Sequence, residues 1–226
     1  MTSEYRHPHH EPAIDDERAI TDPAAFWEHR YSSRGQVWSG KPNAALERET
    51  AALAPGTALE LGSGEGADAV WLARQGWQVT AVDISPSALA LGEATAREAG
   101  VADRITWVQA DLVDWEPTAS FDLVTSAFLH SPVEFARETV LRRTAAAVSP
   151  DGVLLVVGHA GPPPWAPPEH IGHAAFPTAD EVHASLELDA DDWDVITSDT
   201  IARAAVGPDG EPAELDDTVL LLRRRP

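Results

Sequence analysis

The sequence predicts an α/β fold with a doubly wound, mostly parallel sheet. Three observations lead there. From residue 57 onward, short apolar runs alternate with stretches of helical periodicity. A glycine-rich bend, Gly62-Ser63-Gly64-Glu65-Gly66, follows the first apolar run, Ala58-Leu59-Glu60-Leu61. Asp83 closes the second run, Val79-Thr80-Ala81-Val82, 21 residues after Gly62. Roughly 20 residues part the glycine turn from the ribose-binding acid in nucleotide-binding βαβ units. The pair predicts a site for an adenosine-containing cofactor.

Element by element, residues 1–21 read as a polar, disordered tail holding His7, His9 and His10. Residues 22–56 read as an N-terminal helical lid. In it Asp22 caps a helix with Pro23 at the first position, and Phe26, Trp27, Arg30 and Tyr31 follow at helical spacing. Trp38 sits in a glycine-flanked loop, and a second helix spans 43–53 before Pro55-Gly56. The main domain, 57–226, begins with strands expected at 57–61, 77–82, 104–109, 121–126 and 152–158. Helices are expected between them at 66–75, 86–99 and 133–148, the last opened by a capping box at Ser131-Pro132-Val133-Glu134. Another helix starts after Thr178 in the same way. Residues 193–206 and 216–224 read as an antiparallel hairpin at one sheet edge, with Arg223-Arg224-Arg225 blunting edge pairing.

Composition narrows the function. The chain has 226 residues, enough for one domain with a sizeable core. Its 37 acidic and 16 basic side chains give a formal charge of -21, which disfavours nucleic acid and anionic membranes as partners. With no cysteine, thiolate nucleophiles, thiolate metal ligands and disulfides are excluded. There is no apolar signal core near Met1 and no run of membrane-spanning length, so the expected location is the cytoplasm. A single lysine, Lys41, amid abundant alanine and arginine reads as a bacterial, GC-rich coding bias. His170 and His173 lack an acidic partner at convincing spacing, and no metal site is expected.

The glycine bend alone fits two cofactors. Gly62-Ser63-Gly64-Glu65-Gly66-Ala67 satisfies G-x-G-x-x-A, a dinucleotide fingerprint. Glu60, however, lies inside a strand that would ordinarily be apolar, where a carboxylate can meet a cationic ligand. A second carboxylate, Asp111, ends the third strand, and a hairpin closes the sheet. With Leu59–Gly66, Val82-Asp83-Ile84-Ser85, Ala110-Asp111 and Phe121-Asp122-Leu123-Val124, the chain resembles the class I S-adenosylmethionine-dependent methyltransferases over residues 22–225. Within them it is similar to the tellurite-resistance and thiopurine methyltransferase group. That likeness rests on Phe26–Tyr31, Trp38–Asn43 and Gly172–Pro177.

The resemblance implies a Rossmann-like, seven-stranded sheet with the last strand antiparallel, and S-adenosyl-L-methionine as cofactor with S-adenosyl-L-homocysteine as product. It implies that Gly62, Ser63 and Gly64 pass beneath the methionine part and that Asp83 holds the ribose hydroxyls. Ile84 would pack on the adenine, with Asp111 and Leu112 at its edge. Tyr31 and Trp38 would flank the sulfonium, and Glu60 and Ser126 complete the cofactor set.

His130, which follows the fourth strand, overlooks the expected methyl position and is the candidate base, with His159 standing equivalently after the fifth. Phe128, Trp165 and Phe176 are candidate apolar walls. The expected reaction is methyl transfer to a small-molecule thiol, chalcogen, phenol or amine by a monomer or homodimer. A nicotinamide oxidoreductase and a non-catalytic S-adenosylmethionine-binding module are the alternatives.

Overall fold

The computed structural model describes residues 19–166 and 176–226. The histidines expected in the tail, and His170 and His173, lie outside the described residues. Elements follow in the order α1 (Pro23–Arg34), α2 (Ala44–Thr50), β1 (Thr57–Leu61), α3 (Ala67–Arg74), β2 (Gln78–Asp83), α4 (Pro86–Glu98) and β3 (Ile105–Gln109). Then come β4 (Phe121–Ala127), α5 (Arg137–Ala145), β5 (Val148–His159), α6 (Ala179–Leu186), β6 (Trp193–Val206) and β7 (Pro212–Arg224). The seven strands form one sheet in the order β3-β2-β1-β4-β5-β7-β6. Strands β1 to β5 pair in parallel, and β7 enters antiparallel between β5 and β6.

Strand alternation divides the core between two faces. Ala58, Val79, Ala81, Leu123 and Leu155 point to the face carrying Leu46 and Leu72 of α2 and α3. Leu59, Leu61, Val82, Val124 and Leu154 point to the other, against Val140 and Leu141 of α5 and Val182 and Leu186 of α6. Each such fully buried leucine contributes about 1.5–3 kcal/mol of transfer free energy. On β1 the same alternation turns Glu60 to the α3 face with Ala58.

Several helices begin as the sequence predicts. Asp22 accepts from Ala25 N at 2.8 Å, Asn43 caps α2, and Ser85 caps α4. Thr178 and Glu181 form a reciprocal capping box. The one expected at Ser131 does not form. Helix α5 starts only at Arg137, behind Ala136, which supplies no side-chain cap. Phe135 packs into the α5–α6 core. A helix begun at Val133 with Val140 on its buried face would turn Phe135 outward, so its burial overrides the local signal.

The arginine run also takes a different role. The edge strand is β6, not β7. Arg224 donates to Val148 O at 2.6 Å and Arg225 to Asp194 at 2.7 Å. These cations fasten β7 and the chain end to their neighbours, because β7 is paired on both sides.

Candidate active site

The carboxyl ends of β1, β2, β4 and β5 converge on the glycine bend. Gly62 N and Ser63 N donate to Val82 O at 2.9 and 3.0 Å, locking the bend to β2. Gly64 has φ +51° and Gly66 φ +75°. Tyr31 Oη lies 2.9 Å from where a Gly64 Cβ would stand, and the Trp107 ring fills the corresponding place at Gly66. Backbone angle and close approach therefore both require glycine here.

Asp83 fixes the bend from the β2 side. Its Oδ2 accepts from Gly64 N at 2.7 Å and its Oδ1 from Ser85 N at 2.9 Å. Burial pushes its pKa up, against the pull of the amides of Ser85, Gly64 and Ile84. Its oxygens keep acceptor capacity beyond these bonds. Ala110 N donates to Asp83 O, which brings Asp111 and Leu112 to the same end of the sheet. Leu112 is buried, Asp111 accepts from Val113 N at 2.8 Å, and Ile84 is half-buried beside Asp83.

Three more carboxylates surround the start of α3. Glu60 is buried, and its Oε2 has no hydrogen-bond partner. Burial, then the charges of Asp68 and Asp83, raise its pKa well above the ordinary value. Asp68 accepts from Asn43 N at 2.6 Å, and burial pushes its pKa up to about 6. Glu65 accepts from Val37 N and, at 3.2 Å, from Trp38 N.

These bonds fasten the segment after α1 over the bend. Trp38 Nε1 donates to Tyr31 Oη at 2.9 Å, so the two aromatic residues expected near a sulfonium stand together above Gly64. Burial and the Asp83 charge raise the Tyr31 phenol, which stays neutral. Glu28 anchors α1 from the other side, accepting from Ser85 Oγ at 2.7 Å and Ser87 N at 3.1 Å at the start of α4.

The second half of the site follows β4. Ser126 is fully buried with its Oγ unpartnered. Phe128 has φ +53°, a conformation that an aromatic residue adopts only under constraint from its surroundings. Its ring stacks on His159 at 4.2 Å, and the Arg203 guanidinium lies 5.4 Å from its centroid. Beyond it, Leu129 leans over Gly62, and His130 Nε2 lies 3.3 Å from where a Gly158 Cβ would stand. Burial, then the charges of Arg137 and His159, lower the His130 pKa to about 4. The imidazole is therefore neutral at pH 7, and its Nε2 has no partner. The His159 ring lies 5.6 Å away, with its Nδ1 3.8 Å from Asp217, which also accepts from Arg203 at 2.6 Å.

Of the expected walls, Phe128 lies at the site, Trp165 packs beside Gly207 at the hairpin bend, and Phe176 is half-buried before α6. Among the described residues no cluster of metal-ligating side chains is present, and no helix is long and apolar enough to cross a membrane. The hollow lined by Pro55, Gly56, Trp77 and Asp122 is at the amino ends of β1 and β4, away from the glycine bend.

Sequence reasoning did not single out Glu28, Asp68, Arg137, Arg203 or Asp217. Their partners are 14 to 59 residues away where hydrogen-bonded, so no local spacing marks them.

Residues 58–152 match the family model described as a methyltransferase domain. Thiocyanate methyltransferase 1 of Arabidopsis thaliana is 32% identical over 123 residues, which are 52% of this chain and 54% of that protein. The chain spans about half the length, or less, of the curated relatives it matches. A structure from work on the conversion of a disulfide bond into a thioacetal group during echinomycin biosynthesis is similar at TM-score 0.65 and 25% identity. That similarity covers 89% of this chain and 93% of the other. TehB from Haemophilus influenzae shares the fold at TM-score 0.65 and 15% identity, over 88% of this chain and 67% of its own.

Proposed function

We propose that this chain, which carries a class I S-adenosylmethionine-dependent methyltransferase domain, transfers a methyl group from S-adenosylmethionine to a small-molecule acceptor. S-adenosylmethionine is the cofactor of that domain. The observation that carries the reading is the charge of the crevice. Glu60, Glu65, Asp68 and Asp83 surround a bend whose shape alone would also admit a dinucleotide. A diphosphate would push the already raised pKa values of Glu60, Asp68 and Asp83 still higher, whereas a ligand bearing an ammonium and a sulfonium favours their charged forms and is attracted by them.

The residues fit that ligand in detail. Asp83 retains acceptors for ribose hydroxyls, with Ile84, Asp111 and Leu112 placed for the adenine. Gly62, Ser63 and Gly64 offer backbone without side-chain bulk to the methionine part. The unpartnered Oε2 of Glu60 suits a cationic amino group, and Ser126 supplies a free hydroxyl nearby. Tyr31 and Trp38 close the bend beside the expected sulfonium position, the Trp38 ring already meeting one cation, the Arg30 guanidinium at 5.9 Å. When bound, the cofactor supplies a methyl group already activated on a positively charged sulfur.

The chain's own work is alignment and exclusion of water. Residues 22–56 act as the lid, held by Glu65, Asp68 and Glu28. His130, neutral and with Nε2 free, accepts the proton of an acceptor that carries one, whereas a thiolate or other soft nucleophile reacts without it. The formal charge of -21 favours a small acceptor over a polyanion, and the similarity to a thiocyanate methyltransferase supports a small-molecule class.

The test is S-adenosylhomocysteine production with a panel of small thiols, phenols and amines. Turnover with at least one class is expected. Cofactor binding without product across the whole panel would instead make the chain a non-catalytic binding module.

A further inference from the structure

Arg137 is the first residue of α5 and only 7% exposed, although it carries a guanidinium. A buried charge ordinarily has a close opposite charge and saturated donors. Its Nε has no hydrogen-bond partner. Its ion pair among the described residues, Nη1 to Glu138 at 3.8 Å, is long, and the Glu138 side chain is 53% exposed. The guanidinium thus keeps most of its five donors uncommitted among the described residues.

The direction in which it points adds a second fact. Gly158 is the penultimate residue of β5, and a Cβ built there would lie 4.0 Å from Arg137 Nη2 and 3.3 Å from His130 Nε2. Glycine at 158 lets the imidazole and the guanidinium both close on this point of β5, where a Cβ would crowd His130 Nε2. The crevice around the cofactor position, in contrast, is lined by carboxylates, so the two halves of the site have opposite polarity.

Resting on the methyl-transfer reading above, we propose that the acceptor carries a carboxylate or similarly planar anion, which Arg137 binds beside His130 at the carboxyl end of β5. A planar guanidinium matches a carboxylate with two parallel bonds and would hold the acceptor at one end. The nucleophilic atom then lies on the rest of the acceptor. His130 remains neutral next to this pair, since burial and the Arg137 charge both disfavour its protonation.

The test uses matched acceptors that differ only in charge: 2-mercaptobenzoate and 2-mercaptobenzamide, with the corresponding hydroxy, amino and 3-mercaptopropionyl pairs. Binding to the protein with S-adenosylhomocysteine present is measured by calorimetry, and turnover with S-adenosylmethionine by product formation. For at least one pair, the carboxylate should be favoured by at least about tenfold in affinity or kcat/KM. The ratio should fall toward one in Arg137→Met, with an intermediate value in Arg137→Lys, which keeps the charge and loses the fork. Equal behaviour of acid and amide in every pair would overturn the proposal, as would a preference that survives in Arg137→Met. If Arg137→Met does not fold, the wild-type ratio and Arg137→Lys still decide it. Arg137-dependent carboxylate binding without product would sink the methyl-transfer reading alone, so the two failures are distinguishable.

Discussion

Asp68 shows how one carboxylate couples the N-terminal segment to pH. It accepts from Asn43 N at 2.6 Å, yet it is buried beside Glu60. Its pKa is about 6 in the folded chain against an ordinary 3.8. Between those values the folded state keeps a proton that the unfolded state has lost, so stability falls as pH rises through the window. Asp68→Asn keeps an acceptor for Asn43 and removes the titration. The variant should match the wild type below about pH 4 and exceed it by about 1–3 kcal/mol above pH 6. Denaturant unfolding at several pH values measures this, and a constant difference across the range would contradict it.

At the scale of elements, α1 is attached to the α/β body by few bonds, which suits a lid. Glu28 makes three of them, to Ser85 and Ser87 at the start of α4. Removing it in Glu28→Ala should loosen α1 by about 1 kcal/mol, the scale of a lost helix cap. Amide hydrogen exchange would then speed up several-fold in 23–34 while the β1 amides stay protected; equal acceleration in both would mean global unfolding instead. The parts of the fold that could be read in the sequence are those fixed locally. Gly62–Gly66 and Asp83 are legible because bend, strand end and left-handed backbone all constrain neighbouring residues. The caps at Asp22 and Thr178 are legible for the same reason, whereas Asn43, read as the first helical residue, is a cap. The start of α5 was not, because Phe135 is buried by a distant core that outweighs the Ser131 signal. The bonds from Val37 and Trp38 to Glu65 and the approach of His130 and Arg137 to Gly158 exist only once the chain has folded.

Across the whole molecule, the sheet order brings two chemically opposite regions to one edge. Strands β1 and β2 deliver an acid-lined glycine bend, whereas the neutral His130 follows β4 and the buried guanidinium of Arg137 stands at the start of α5. Such a division suits a cationic donor on one side and an anionic acceptor on the other, with the transferred group between them. The account stands first on the identity of the donor. Calorimetric titration of the chain with S-adenosylhomocysteine and, separately, with NADH tests it most directly. Saturable binding of S-adenosylhomocysteine, weakened by about 1.5–3 kcal/mol in Asp83→Ala, and no binding of NADH are predicted. Saturable NADH binding with no response to S-adenosylhomocysteine would contradict the account.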